Sequence, residues 1–195
     1  MEHEKRHPLF ETLSETCLEF FRKGQPVSAR RILTALMDRK EVPSHSPLHH
    51  FLMPAALLTA AFLAEDGREE VELAAMLGLA WDRALQVPAG ACGNLGACGA
   101  GVGAGIFMSV YTGASPHTKE NWKWCNEITA RCLAEIAQVE GPCCCKRTSF
   151  LTLRAAEPYI AERLGLRLPP GEEAVCTYFR ENEICKGREC PFFPV

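Results

Sequence analysis

Apolar residues recur every three or four positions through most of this chain, and that period predicts helices. Leu9, Phe10, Leu13, Cys17, Phe20 and Phe21 form one stripe of a helix over 9–23, which Gly24 stops. A second helix is predicted to open at Gln25-Pro26, since proline suits a first turn, and to run to residue 39 with Ile32, Leu33, Leu36 and Met37 inward. Ser46-Pro47 opens a third helix that is apolar on nearly every side to residue 65, as a central core helix is, with a kink expected at Pro54. The turn Asp66-Gly67 leads into a fourth over 68–86, with Val71, Leu73, Ala74, Leu77 and Trp81 toward the core.

From Pro88 to Gly105 the residues are nearly all small, which predicts an irregular segment that lets another backbone or a ligand approach closely. Ile106 to Tyr111 resumes a helix entered from that loop. Ser115-Pro116 opens a long helix to residue 139, ended by Gly141-Pro142. A last helix over 144–164 stops at Gly165, and Pro158 predicts a bend or an early end. Pro169-Pro170-Gly171 reads as a linker, and "AVCTYF" after it as one short strand. No two strongly alternating segments exist to pair into a sheet, so the fold class is all-α. The expected organisation is a single bundle of six or seven helices over 1–168, with a cysteine-rich tail over 169–195 packed on it.

Composition leaves this picture intact. A chain of 195 residues, 47% hydrophobic and 23% charged, has enough material for one core without disulfides, and its net charge of -3 offers no basic surface for nucleic acid. The N-terminus, "MEHEKRHPLF", lacks the apolar run of a secretory signal. The longest apolar run, 51–64, is shorter than the roughly 20 residues of a spanning helix. These features predict a cytoplasmic protein without a membrane partner.

Eleven cysteines do change the picture, because a reducing compartment favours metal or redox roles for clustered thiols, and an odd number disfavours a fully paired disulfide framework. Cys17, Cys125 and Cys132 lie on predicted apolar stripes and read as small buried hydrophobes. The other eight lie in loops or at helix starts. Cys92 and Cys98 fall in "GACGNLGACGAG", Cys143, Cys144 and Cys145 in "GPCCCKR", and Cys176, Cys185 and Cys190 in the tail. A thiol beside Lys146 and Arg147, or at a helix N-terminus, loses its proton more readily and becomes a nucleophile or a metal ligand.

Consecutive side chains project in different directions, so one or two of the triplet are expected to face a given site. A Cys144–Cys145 bridge is the strained alternative. The tail has three thiols and little apolar material, so a bound metal or cluster would supply what a core cannot. Zinc takes four sulfur or nitrogen ligands, and iron–sulfur clusters take cysteines, one of which is often followed by proline, as Cys190 is. The fourth ligand is open among a triplet cysteine, a histidine and a substrate position. His49 and His50 start the central helix, and His50 is a candidate ligand or base in a thiol mechanism. His3, His7, His45 and His117 carry no such signal.

"GAGVGA" matches the spelling of a dinucleotide-binding turn, but no strand precedes it and no βαβ unit surrounds it. Gly99 and Gly101 remain as candidate positions for close approach of a cofactor. The sequence contains no C-x-x-C, Walker loop, H-E-x-x-H or G-x-S-x-G.

The cysteine-bearing stretches, together with "CTYFRENEICKGRECPFF", resemble an uncharacterised bacterial and archaeal cysteine-rich domain over most of the chain from His49 onward. Its pattern has G-x-C-G at Cys98, C-C-K-R at Cys144 to Arg147, and N-x-x-C…C-P at Asn182, Cys185 and Cys190. Cys143 stands where that pattern has a basic residue, which makes it the least secure functional member of the triplet. A looser similarity is to small helical redox-active proteins with a C…G-C-A-x-x-G…C-x-C signature, from which this chain departs at Gly99 and in having C-C-C. The resemblance implies a thiol site assembled from distant segments and a partner enzyme of radical-SAM or methyltransferase type.

The leading expectation is a protein that binds an iron–sulfur cluster or zinc through Cys92, Cys98, Cys144, Cys145, Cys176, Cys185 and Cys190, in one centre or two. Cys98, Cys144 and His50 are the catalytic candidates. Two alternatives stand beside it. One is a metal-free thiol/disulfide enzyme or relay that cycles Cys98 and a triplet thiol with Lys146 and Arg147 nearby, and the other is an interaction module closed by structural zinc.

Overall fold

The structure, a computed structural model, describes residues 7–194; the charged N-terminal stretch up to Arg6, including His3, lies outside the described residues. Among the described residues eight α-helices follow one another: α1 Pro8–Arg22, α2 Ala29–Met37, α3 His49–Leu63, α4 Glu70–Ala84, α5 Ala91–Asn94, α6 Gly99–Thr112, α7 Glu120–Ile136 and α8 Cys145–Leu164, before a short 3-10 turn at Gly187–Glu189. Among the described residues there is no strand, and no helix is long and apolar enough to cross a membrane.

Two helices without a polar face, α3 and α6, form the centre. Every residue of α3 from His49 to Phe62 is buried. α1, α2 and α4 pack against α3, α4 also against α6, and α7 and α8 pack against α6. The outer helices are amphipathic, as helices with one solvated face must be.

The glycine-rich segment departs from expectation. Instead of staying irregular to Gly105, the chain is helical from Gly99, and its small residues serve two interfaces at once. An added Cβ at Gly103 would lie 2.9 Å from Met53 Cβ and 3.0 Å from the His50 carbonyl of α3. One at Gly105 would lie 2.1 Å from Thr129 Oγ1 of α7. Glycine carries a helix propensity penalty, but here close packing between three helices outweighs it. The approach at Gly103 also has a cause in α3. Pro54 has no N–H to give the carbonyl four residues back, which is that of His50, and the bare backbone of α6 lies against this freed oxygen.

Other boundaries differ for local reasons. α2 begins at Ala29 because Ser28 Oγ accepts from the Arg31 amide at 3.3 Å, a side-chain cap that the proline at 26 does not supply. α7 begins at Glu120, since Ser115 and Thr118 bond each other in a turn (Thr118 Oγ1 to Ser115 O, 2.8 Å) that competes with the helix. Pro158 sits inside α8 without ending it. The expected strand at 174–179 is instead an extended stretch joined to the far end of the tail by one bond, Cys176 N to Phe192 O at 2.6 Å.

That tail lies on α2 and α8. The Tyr178 hydroxyl donates to Asp38 Oδ1 at 2.6 Å, Phe192 meets Phe150 edge-on at 5.3 Å, and the Lys146 ammonium stands 4.4 Å over the Tyr178 ring.

Candidate functional site: two sets of thiols

The triplet enters α8 through Cys144, whose backbone is extended (φ -140, ψ 108). Side chains alternate along extended backbone, so Cys144 projects to one side and Cys143 and Cys145 to the other. The eight non-core cysteines divide accordingly.

On one side Cys144 joins the tail. Cys144, Cys176, Cys185 and Cys190 line a cavity of about 20 Å³ together with Arg147 and Asn182. Backbone and side-chain N–H groups point at these sulfurs: Asn182 Nδ2 donates to Cys144 Sγ at 3.5 Å, and the Gly187 amide to Cys185 Sγ at 3.4 Å. The Ile184 amide donates to Asn182 Oδ1 at 3.2 Å and thereby turns the amide NH₂ of Asn182 toward the sulfur. Burial raises the pKa of the Cys144 thiol, opposed by the amides of Arg147 and Lys146 and by the Arg147 charge. Burial likewise raises Cys176, opposed by the Tyr178 amide.

On the other side Cys92 Sγ and Cys143 Sγ are 3.5 Å apart. With Cys98 they line a separate groove of about 350 Å³, whose apolar wall includes Leu133, Ile136 and Val139. Cys145 completes this set through a hydrogen bond with Cys143, the main reason the Cys145 thiol is shifted down and the Cys143 thiol up. Cys98 is near enough to Cys145 for their charges to interact. Burial raises Cys92.

Two cations are buried between the sets. Lys146 is 2% exposed and Arg147 5%. Lys146 Nζ donates to the Met37 carbonyl at 2.8 Å, and burial pulls its pKa down to about 8. Arg147 donates to the carbonyls of Pro142 at 2.6 Å and Glu140 at 3.3 Å, and its Nε has no partner. Among the described residues no carboxylate stands within ion-pair distance of either cation.

The histidines at the start of α3 are held as neutral rings. His50 Nδ1 lies 3.2 Å from the Val87 carbonyl, which can only accept, so Nδ1 carries the proton and Nε2 the lone pair. Burial lowers its pKa. The ring lies against Gly99, where an added Cβ would come within 1.9 Å of His50 Cδ2. His49 bonds the Ser46 carbonyl at 3.1 Å through Nδ1 and buries Nε2 without a partner; burial, helped by the Lys146 charge, lowers its pKa to about 3.

Several sequence expectations need correction against this geometry. Cys144 does not share a side with Cys98 and Cys145, because the alternation at the triplet separates them. Cys143, ranked lowest, contacts Cys92 sulfur to sulfur at 3.5 Å. His45, which carried no signal, donates through Nε2 to the Cys143 carbonyl at 3.1 Å. The space beside Gly99 and Gly101 is filled by His50 and by Leu133 and Ile136, which leaves no room for a cofactor at those two glycines. Cys17 and Cys132 are fully buried with pKa values pushed up to about 12 by burial, and Cys125 is half-buried against the core.

Among the described residues no three His, Cys, Asp or Glu side chains stand close enough together to hold a metal ion as placed. The four cysteines of the tail set line a single cavity large enough for one water-sized body, with Asn182 and the buried Arg147 on its wall.

No curated protein and no solved structure matches the chain. A family model described as a family of unknown function matches residues 17–193. The chain therefore belongs to that family, DUF5714.

Proposed function

We propose that this protein binds a metal or iron–sulfur centre through Cys144, Cys176, Cys185 and Cys190, and serves as an electron-transfer or accessory protein to a partner enzyme. The carrying observation is a buried arginine, Arg147, with no described carboxylate within ion-pair distance, on the wall of a cavity that four cysteines line. A buried unpaired charge costs several kcal/mol, and an arginine cannot shed its charge by losing a proton. Four thiolates around a divalent ion, or around a cubane cluster in its doubly positive state, leave two net negative charges, which Lys146 and Arg147 balance. Arg147 gains a counter-charge when the centre is bound, whereas Lys146 also feels Asp38 and Glu181.

Asn182 and the Gly187 amide would hold the ligating sulfurs in place, and hydrogen bonds to sulfur adjust the potential of a cluster. An iron–sulfur cluster supplies one-electron chemistry; zinc supplies structural closure. Proline after Cys190 accords with a cluster, whereas the small cavity accords with a single ion. The partner we propose is an enzyme of radical-SAM or methyltransferase type, the class that the resemblance implies. A reducing compartment such as the cytoplasm would keep these thiols free to ligate.

The test is anaerobic purification of the full chain with metal analysis and an absorption spectrum. Iron with visible charge-transfer bands identifies a cluster, and stoichiometric colourless zinc a zinc site. Cys185→Ser and Cys190→Ser should lose most of the metal, while Cys17→Ser keeps it. A metal-free wild-type chain, or equal metal in all three variants, refutes the proposal.

A further inference from the structure

We infer that Cys92 and Cys143 form a second functional site, a dithiol that exchanges with small organic disulfides in the groove beside α7. The two sulfurs stand 3.5 Å apart, so side-chain rotation need close only about 1.5 Å to reach disulfide bonding distance. The backbones that carry them are pinned. Cys143 is held by His45 on its carbonyl, and the preceding loop by Arg147 on the carbonyls of Glu140 and Pro142. Cys92 lies in α5, braced where the amides of Leu95 and Ala97 both donate to the Ala91 carbonyl (2.9 and 3.2 Å). Both thiols are half-buried and open onto the same groove.

The groove sets the substrate class. Its volume of about 350 Å³ is at the small end for organic ligands. Leu133, Ile136 and Val139 line it together with Pro142 and offer apolar contact to the substituents of a disulfide. The tail set lies on the opposite side of the triplet, so the two sites do not compete for the same thiols.

The chemistry balances without a cofactor. The Cys92 sulfur attacks one sulfur of R–S–S–R′, whose S–S bond breaks as a Cys92–S–S–R bond forms, and R′S⁻ leaves and takes up the Cys92 proton. The Cys143 sulfur then attacks Cys92 Sγ, the Cys92–Cys143 disulfide forms, and RS⁻ leaves with the Cys143 proton. The protein dithiol is oxidised by two electrons and the organic disulfide is reduced to two thiols.

The test uses the full chain, purified anaerobically with the metal it holds, and bis(2-hydroxyethyl) disulfide as the probe. After reaction and alkylation, peptide mapping should show two thiols lost per chain, both in a Cys92–Cys143 cross-link. Cys143→Ser should stop at a mixed disulfide on Cys92, and Cys92→Ser should form no cross-link. Metal content should be the same in both variants as in wild type. Cys92 and Cys143 remaining alkylatable in the wild-type chain, or a cross-link that joins other cysteines, overturns the inference without need of a variant. Loss of metal from either serine variant overturns it too, by making the pair part of the metal centre, and leaves the reading of the tail set standing.

Discussion

Replacing Gly99 by alanine puts a methyl group inside the His50 ring. The new Cβ would lie 1.9, 2.2 and 2.5 Å from Cδ2, Nε2 and Cγ, where ordinary contact begins about 1 Å or more further out. The ring cannot swing away freely, because Nδ1 is tied to the Val87 carbonyl at 3.2 Å and the residue is 9% exposed at the start of α3. Alanine gains about 1 kcal/mol of helix propensity over glycine. Against this stand overpacking of about 1–3 kcal/mol and loss of a buried hydrogen bond worth about 1 kcal/mol. The net expectation is a destabilisation of about 1–3 kcal/mol, or a fall in Tm of about 2–10 °C for a chain of this size. Gly93→Ala, which meets nothing within 4 Å, is the control and should be neutral or slightly stabilising. Urea and thermal unfolding of the wild type, both variants and Gly99→Ala/His50→Ala provide the measurement. The double variant should recover part of the loss, since removing the ring removes the clash. A Gly99→Ala chain as stable as Gly93→Ala, or a double variant whose losses simply add, would show that the ring does not lie over this glycine.

Acid should weaken the protein through His49. Its pKa is about 3 folded and 6.5 ordinarily, so between these values the unfolded chain binds a proton that the folded chain does not. Stability is therefore lost as pH falls through that window, by up to about 4–5 kcal/mol, and His49→Gln should flatten this limb in unfolding curves taken from pH 7 to 3. Tyr178→Phe removes the hydroxyl that donates to Asp38 at 2.6 Å and should cost about 1–2 kcal/mol, with faster proteolysis near the Pro169-Pro170 linker; unchanged cleavage would count against the tail being held there. Native alkylation with iodoacetamide at pH 8 should modify Cys92 and Cys98 while sparing Cys17 and Cys132, whose thiols are buried and shifted to about 12.

Periodicity revealed the helices with one wet face, and the long apolar run at 49–63 revealed α3. The stripe of α1 and the inward Ile32, Leu33, Leu36 and Met37 of α2 lie where their spacing places them. The second half of α6, from Ile106 to Tyr111, was legible, but its first half was not, because composition at 99–105 speaks of backbone freedom, whereas here the small residues answer to neighbours from distant parts of the chain, His50 and Met53 on one side and Leu133 and Thr129 on the other. The same limit applies to the thiols. Core roles for Cys17, Cys125 and Cys132 follow from their positions on apolar stripes. The grouping of Cys144 with the tail, and of Cys143 with Cys92, depends on which way each side chain leaves the backbone just before α8. Alternation along three consecutive residues was the one available signal, and it indicates a division without naming the partners. His45 gave none, since a histidine that fixes a carbonyl far along the chain looks like any solvent-facing one.

The extended entry into α8 makes chain length, rather than side-chain identity, the sensitive quantity at residues 143–145. Inserting or deleting one residue just before Cys144 would exchange the sides that neighbouring thiols of the triplet face, so that the thiol meant for the tail would turn toward the groove. A point substitution removes one thiol; a one-residue change in length reassigns the triplet between the two chambers.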